Sequence, residues 1–295
     1  MRELTYHVVD VFTDRPFAGN PLAVVLGADD LPGAAMQALA KEFNLSETAF
    51  PVEVGDDGYR LRIFTPETEL PFAGHPSVGT GWLLRSLGSI RDGRLTQRCG
   101  AGDLALVVSA DRVEITAGTP SASAPVDGAP FLAACGLSGG GAAQECTAGL
   151  PFVFVEVLDA DVARAVPDSV RLREVSGSTA GVVVFAWDAA ARTSHTRVFA
   201  AGAGVLEDAA TGSAAAAFGA WLASAGYVPG DAETPYTVLQ GAEMGRPSRI
   251  EGTVVTRAGS AVECRIAGTA VPIATGLIRV PAPHWSEPSS CCTVR

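Results

Sequence analysis

No uninterrupted apolar run in the sequence is long enough to cross a bilayer. Its opening residues, MRELTYHVVDVF, do not set a basic segment before an apolar stretch and a small-residue cleavage site, so no leader is expected. Basic residues are in short supply. The chain has 21 Lys and Arg against 32 Asp and Glu, a formal charge of −11. That field disfavours nucleic acid and anionic membrane surfaces as partners, and no basic run offsets it. An anionic metabolite is not excluded, because one pocket can be locally positive. Cysteine is sparse: Cys99, Cys135, Cys146, Cys264, Cys291 and Cys292 include no C-x-x-C pair. The expectation is free thiols in a cytoplasmic protein. The four histidines (His7, His75, His195 and His284) show no H-E-x-x-H or comparable ligand spacing, so no metal is expected. A P-loop and a G-x-G-x-x-G after a strand are missing, and no G-x-S-x-G nucleophile elbow, which needs a strand before it and a helix after it, is expected. No cofactor is expected.

What is present is a large apolar fraction, 47% of 295 residues, with only 18% charged. That is enough to build one large core or two ordinary ones. Short strand-like runs recur at Tyr6–Phe12, Leu22–Leu26, Arg60–Thr65, Leu104–Ser109, Val113–Thr116, Phe152–Leu158, Val182–Ala186, Thr196–Phe199, Val262–Ile266 and Leu277–Val280. Three helices interrupt them. Pro32–Leu45 sets Met36, Leu39, Ala40 and Phe43 on one face. Ser77–Ser86 and Gly212–Ala225 are small or apolar nearly all round, which predicts burial, most simply inside a wrap of strands. Residues 119–149, rich in Pro, Ala, Gly and Ser, read as a linker or loop region between two halves. The domains expected are therefore 1–118 and 150–285, with the last strand free to return to the first domain and 286–295 as a disordered tail.

Three segments carry groups suited to chemistry. In Gly74-His75-Pro76-Ser77, glycine and histidine precede a helix whose free N–H groups can bind an anion. His75 is then placed to donate or accept a hydrogen bond beside that anion, or serves a purely structural bond in a loop. In Glu207-Asp208-Ala209-Ala210-Thr211-Gly212-Ser213, an acid again precedes a buried helix. Here Asp208 is either a helix cap or a functional carboxylate, and Ser213 either caps or binds. Glu47 lies between the amphipathic helix and an apolar strand. An apolar setting raises a carboxyl pKa and suits a general acid/base, whereas an exposed turn would leave it ordinary.

Taken together, these segments resemble the PhzF family, named for phenazine biosynthesis, within the diaminopimelate-epimerase-like fold. The resemblance rests on five ordered blocks: VDVFTDRPFAGNPLAVVL (Val9–Leu26), LSETAF (Leu45–Phe50), TPETELPFAGHPSVG (Thr65–Gly79), EDAATGSAAAAF (Glu207–Phe218) and QGAEMGRPSRI (Gln240–Ile250). It implies an α+β fold of two similar domains, each a strand barrel around a central helix, with the active site in the cleft between them. It assigns proton transfer to Glu47 and substrate holding or assistance to His75, Asp208 and Ser213. Gly74 and Gly212 match the positions that offer backbone N–H groups to a substrate carboxylate. It also implies a homodimer. Two departures stand out. Ala209 replaces a common proline, which predicts a looser turn at Asp208, and Ser77 stands where threonine is frequent. Neither helix start carries cysteine, so the two-thiol racemisation of this fold is disfavoured.

The expected partner is thus a small carboxylate-bearing substrate. The expected reaction is an isomerisation like that of trans-2,3-dihydro-3-hydroxyanthranilate, with Glu47 moving the proton. An epimerase, cyclase or dehydratase-like step using Glu47 and Asp208, and a non-catalytic carboxylate-binding protein, are the alternatives.

Overall fold

The computed structural model describes residues 2–201 and 205–281. The vicinal pair Cys291 and Cys292, His284 and the tail 286–295 lie outside the described residues. The remaining cysteines, Cys99, Cys135, Cys146 and Cys264, are free thiols.

One continuous sheet wraps two buried helices on one plan. In the first half, Glu3–Val11 runs antiparallel to Asn20–Val25, which pairs in parallel with Glu47–Gly55. Glu47–Gly55 is antiparallel to Gly58–Phe64, and Gly58–Phe64 is parallel to Gly93–Cys99. Gly102–Val108 and Val113–Thr116 complete the run. A parallel pair needs a crossover, and the two crossovers here carry the helices Gly33–Phe43 and Gly74–Ser86. The second half repeats the scheme. Pro151–Glu156 is parallel to Val182–Asp188, with Asp159–Arg164 and Ser169–Ser176 between them. Thr193–Ala200 is parallel to Ala232–Gln240, with Gly212–Ser224 between them. In each half, then, the second parallel crossover supplies the central helix.

The halves are stitched twice. Val113–Thr116 pairs antiparallel with Ser260–Gly268, and the last strand, Ala270–Arg279, returns to pair with Glu3–Val11.

Burial follows the composition of the helices. Twelve of the 13 residues of Gly212–Ser224 are buried, against only Met36, Leu39 and Ala40 in the amphipathic Gly33–Phe43 helix. That outer helix ends at Asn44, whose left-handed backbone (φ 51°) stops it. Its apolar face covers a small cluster with Leu4, Val25, Phe50 and Phe64.

One expectation needs correcting. Residues 119–149 are not a loop. They contain strands Pro120–Ala122, Val126–Asp127 and Ala142–Ala148 and the helix Ala129–Ala134. The strand Ala142–Ala148 buries Ala143, Gln144, Cys146 and Ala148. It pairs with both Pro151–Glu156 and Pro120–Ala122. Small residues hide its apolar signal, and pairing on both sides supplies the stability that propensity does not. The strands Ala232–Gln240 and Ser248–Arg257 are likewise polar on one face and were not legible as apolar runs.

Candidate active site

The starts of the two central helices touch. A Cβ built on Gly74 would lie 2.9 Å from the Cα of Gly212, and one built on Gly212 would lie 3.1 Å from the Cα of Gly74. Only glycine at both positions permits this approach. Neither helix has a side-chain cap at Ala73 or Thr211, so the first-turn N–H groups are left for other partners. Two positive helix ends face each other here, an arrangement that favours negative charge between them. Ser213 is buried in the first turn of the second helix.

Glu47, His75 and Asp208 converge on this junction. Glu47 opens the strand Glu47–Gly55, with its side chain 17% exposed. His75 is buried in the first turn of its helix, and its Nε2 lies 3.6 Å from Glu47 Oε2. That separation is too long for a hydrogen bond. Both atoms are buried, and neither has a hydrogen-bond partner among the described residues. A buried polar atom without a partner costs about 1–3 kcal/mol, so two side by side mark a place built for something other than stability.

The electrostatics agree. Burial pushes the Glu47 carboxyl up to about 7, with the neighbouring Ser46 hydroxyl working the other way. Burial pulls His75 down to about 4, although the Asp208 charge works the other way. Asp208 is raised to about 6, chiefly by burial and then by the Glu47 charge. At neutral pH the imidazole is uncharged, and the Glu47 carboxyl lies near the midpoint of its titration.

Asp208 is held quite differently from Glu47. One of its carboxylate oxygens accepts from Asn20 Nδ2 at 2.8 Å and the other from Thr211 Oγ1 at 2.6 Å. It is not the cap of the helix, since that position belongs to Thr211. Nor is the turn loose where Ala209 stands. Gln240 Nε2 donates to the Asp208 carbonyl at 2.7 Å, and Ser248 Oγ donates to the Ala209 carbonyl at 3.0 Å. Side chains from neighbouring strands provide the constraint that a proline ring would.

Ser77, the other departure, does not enter the junction. Its hydroxyl donates to the Ala73 carbonyl at 2.9 Å and accepts from Gln97 Nε2 at 2.9 Å. Tyr59 OH completes this buried chain by donating to Gln97 Oε1 at 3.2 Å. The chain anchors the helix start from behind.

Several residues at the site had no local signal in the sequence. Asn20 touches Asp208, Ala210 and His75 at once. Arg246, from the second half, donates to the carbonyls of Gly19 (2.8 Å) and Ala18 (3.0 Å) and pairs with the buried carboxylate of Asp10. Gln240 and Thr211 tie the Asp208 turn. All four sit inside the blocks that carried the family resemblance, yet Asn and Gln are common loop and strand residues. Only their convergence across the chain distinguishes them. A groove of about 470 Å³, lined by Phe12, Arg15, Arg112 and Arg249 among others, runs along the seam between the halves. Glu47, His75 and Asp208 are not among its lining residues.

Comparison with known proteins gives a consistent picture. The model of the phenazine biosynthesis-like proteins (PhzC-PhzF) matches residues 9–276. The trans-2,3-dihydro-3-hydroxyanthranilate isomerase of Pseudomonas fluorescens is 35% identical over 282 residues, covering 92% of this chain and 98% of that protein. Among solved structures, the phenazine biosynthesis protein of the PhzF family from Bacillus anthracis superposes with a TM-score of 0.83 at 27% identity, covering 95% of this chain and 100% of the other. A hydroxyproline epimerase from Agrobacterium vitis, at 15% identity and a TM-score of 0.67 over 94% and 91% of the two chains, shares the fold alone.

Proposed function

The chain belongs to the phenazine biosynthesis-like family and is an isomerase, and on that premise we propose that Glu47 carries a proton between two carbon atoms of a small carboxylated substrate. The substrate class follows trans-2,3-dihydro-3-hydroxyanthranilate, the compound that names the Pseudomonas fluorescens relative. The observation that carries the reading is the pair of unpartnered buried atoms, Glu47 Oε2 and His75 Nε2, beside two helix starts in contact.

The steps balance on one residue. The ionised Glu47 takes a proton from a substrate carbon, and the charge left on the substrate spreads toward its carboxylate. The N–H groups at the starts of the two helices meet that charge. The protonated Glu47 then returns the proton to a second carbon and is ionised again. A group that exchanges its proton near neutrality suits both halves of the cycle. Neutral His75 supplies a hydrogen bond without competing for the proton. Asp208 is the weaker candidate for a base, because both of its oxygens already accept hydrogen bonds from Thr211 and Asn20. This favours one-base isomerisation over a two-base epimerisation.

The test is turnover of trans-2,3-dihydro-3-hydroxyanthranilate in D₂O by the unaltered protein and by Glu47→Gln. We expect deuterium in the product of the unaltered enzyme. The variant should lose about 10²- to 10⁴-fold in kcat while ligand binding persists. A Glu47→Gln variant that turns over normally overturns the role of Glu47.

A further inference from the structure

We propose that Asn20 is a positioning residue that keeps the ring proton of His75 on Nε2, the nitrogen facing Glu47. The catalytic consequence rests on the isomerase reading, but the tautomer itself does not.

Asn20 begins the strand Asn20–Val25 and is 1% exposed. Its place is set from both sides. Gly19 precedes it at φ +65°, where a Cβ would lie 2.2 Å from the Val11 carbonyl oxygen, so no other residue fits that turn. From across the seam, the Arg246 guanidinium holds the Gly19 carbonyl at 2.8 Å.

The amide orientation follows from its partners. Asn20 Nδ2 donates to Asp208 Oδ1 at 2.8 Å and to the Ala210 carbonyl at 3.0 Å, while Asn20 Oδ1 accepts from Ser46 Oγ at 3.3 Å. The flipped amide would set oxygen against a carboxylate and a carbonyl. An NH₂ group has two hydrogens, and both are committed. Its third neighbour is His75 Nδ1, at 3.4 Å. An Nδ1–H would point at a group with no lone pair to offer, donor against donor. Nδ1 is therefore the bare nitrogen, and the proton of the neutral ring resides on Nε2. Nε2 lies 3.6 Å from Glu47 Oε2 and has no hydrogen-bond partner among the described residues. Asn20 thus turns its NH₂ group toward Nδ1 while its hydrogen bonds orient Asp208. One buried amide coordinates the groups contributed by both halves.

The experiment uses the full chain labelled with ¹⁵N-histidine, without substrate. Two-bond ¹H–¹⁵N correlations report each tautomer, and His75→Gln identifies the His75 signals by their loss. We expect Nε2–H in the unaltered protein. In Asn20→Asp a carboxyl oxygen with free lone pairs replaces the NH₂ beside Nδ1 and accepts from it, so the Nδ1 proton appears. With substrate, kcat of that variant should fall at least about tenfold while KM stays within about threefold. A loss of packing alone would lower stability without moving the ring proton. Nδ1–H in the unaltered protein overturns the proposal, as does an Nε2–H tautomer with unchanged kcat in Asn20→Asp. If Asn20→Asp does not fold, the tautomer of the unaltered chain decides. Failure of the isomerase reading would appear separately, as absent turnover with the spectra unchanged.

Discussion

Around the Gly212–Ser224 helix the core is aromatic. Phe218 stacks on Trp221 with ring centroids 5.4 Å apart and meets Phe185, Phe154, Trp187 and Tyr236 at 5.0–6.0 Å. Around the Gly74–Ser86 helix the neighbours are Val9, Val11, Leu22 and Val113, together with Tyr59 of the buried polar chain through Gln97 and Ser77. Both helices deliver a glycine to the same junction, so one architecture is filled in two ways. The difference extends to the site. The second half contributes Asp208, with both oxygens hydrogen-bonded. The first contributes Glu47 and His75, each with a buried atom left unpaired. The aromatic half forms the more firmly tied wall, and the aliphatic half carries Glu47, the group we propose moves the proton. Asn20 and Arg246 hold the two together.

Breaking the aromatic wall should have the largest effect on stability. Phe218→Ala is expected to cost about 3–5 kcal/mol in denaturant unfolding, through cavity formation and lost aromatic pairs. A loss under about 1 kcal/mol would mean that the second half does not depend on this cluster. Cutting the tie between the halves comes next. Arg246→Ala leaves the 2%-exposed Asp10 carboxylate without its cation. The expected loss is about 2–4 kcal/mol, accompanied by a lower kcat because Gly19 and Asn20 lose their anchor. An unchanged kcat would separate the tie from the site.

The smallest of the three effects concerns pH. The Glu47 carboxyl is raised in the folded chain from 4.5 to about 7. The folded state therefore binds this proton more tightly than the unfolded state does. The resulting contribution to stability is complete below pH 4.5 and is lost as pH rises through about 7. Glu47→Gln removes that loss. It should be more stable than the unaltered protein at pH 8, by about 1–3 kcal/mol, with the difference shrinking toward pH 4. Equal stabilities at pH 8 would mean that the carboxyl is not desolvated. Activity should run the other way in the unaltered enzyme. Because Glu47 must be ionised to take the first proton, kcat/KM should rise with pH through about 7.

The sequence by itself determined the two buried helices, because a run such as Gly212–Ser224 has no polar face and must be enclosed whatever surrounds it. It also determined that Glu47, His75 and Asp208 stand in the motifs of this family, and that a glycine stands at the start of both helices. Other features were decided only by tertiary structure. The strand Ala142–Ala148 exists because two neighbouring strands pair with it, where its composition alone reads as a loop. The Asp208 turn is firm without proline because Gln240 and Ser248 reach it from distant strands. Asn20 matters because folding brings it within 3.4 Å of His75 and 2.8 Å of Asp208. Burial, which sets the raised carboxyl of Glu47, and contact, which sets the hydrogen bonds of Asn20, depend on where distant segments meet. Local sequence does not encode that meeting; the closed pair of halves does.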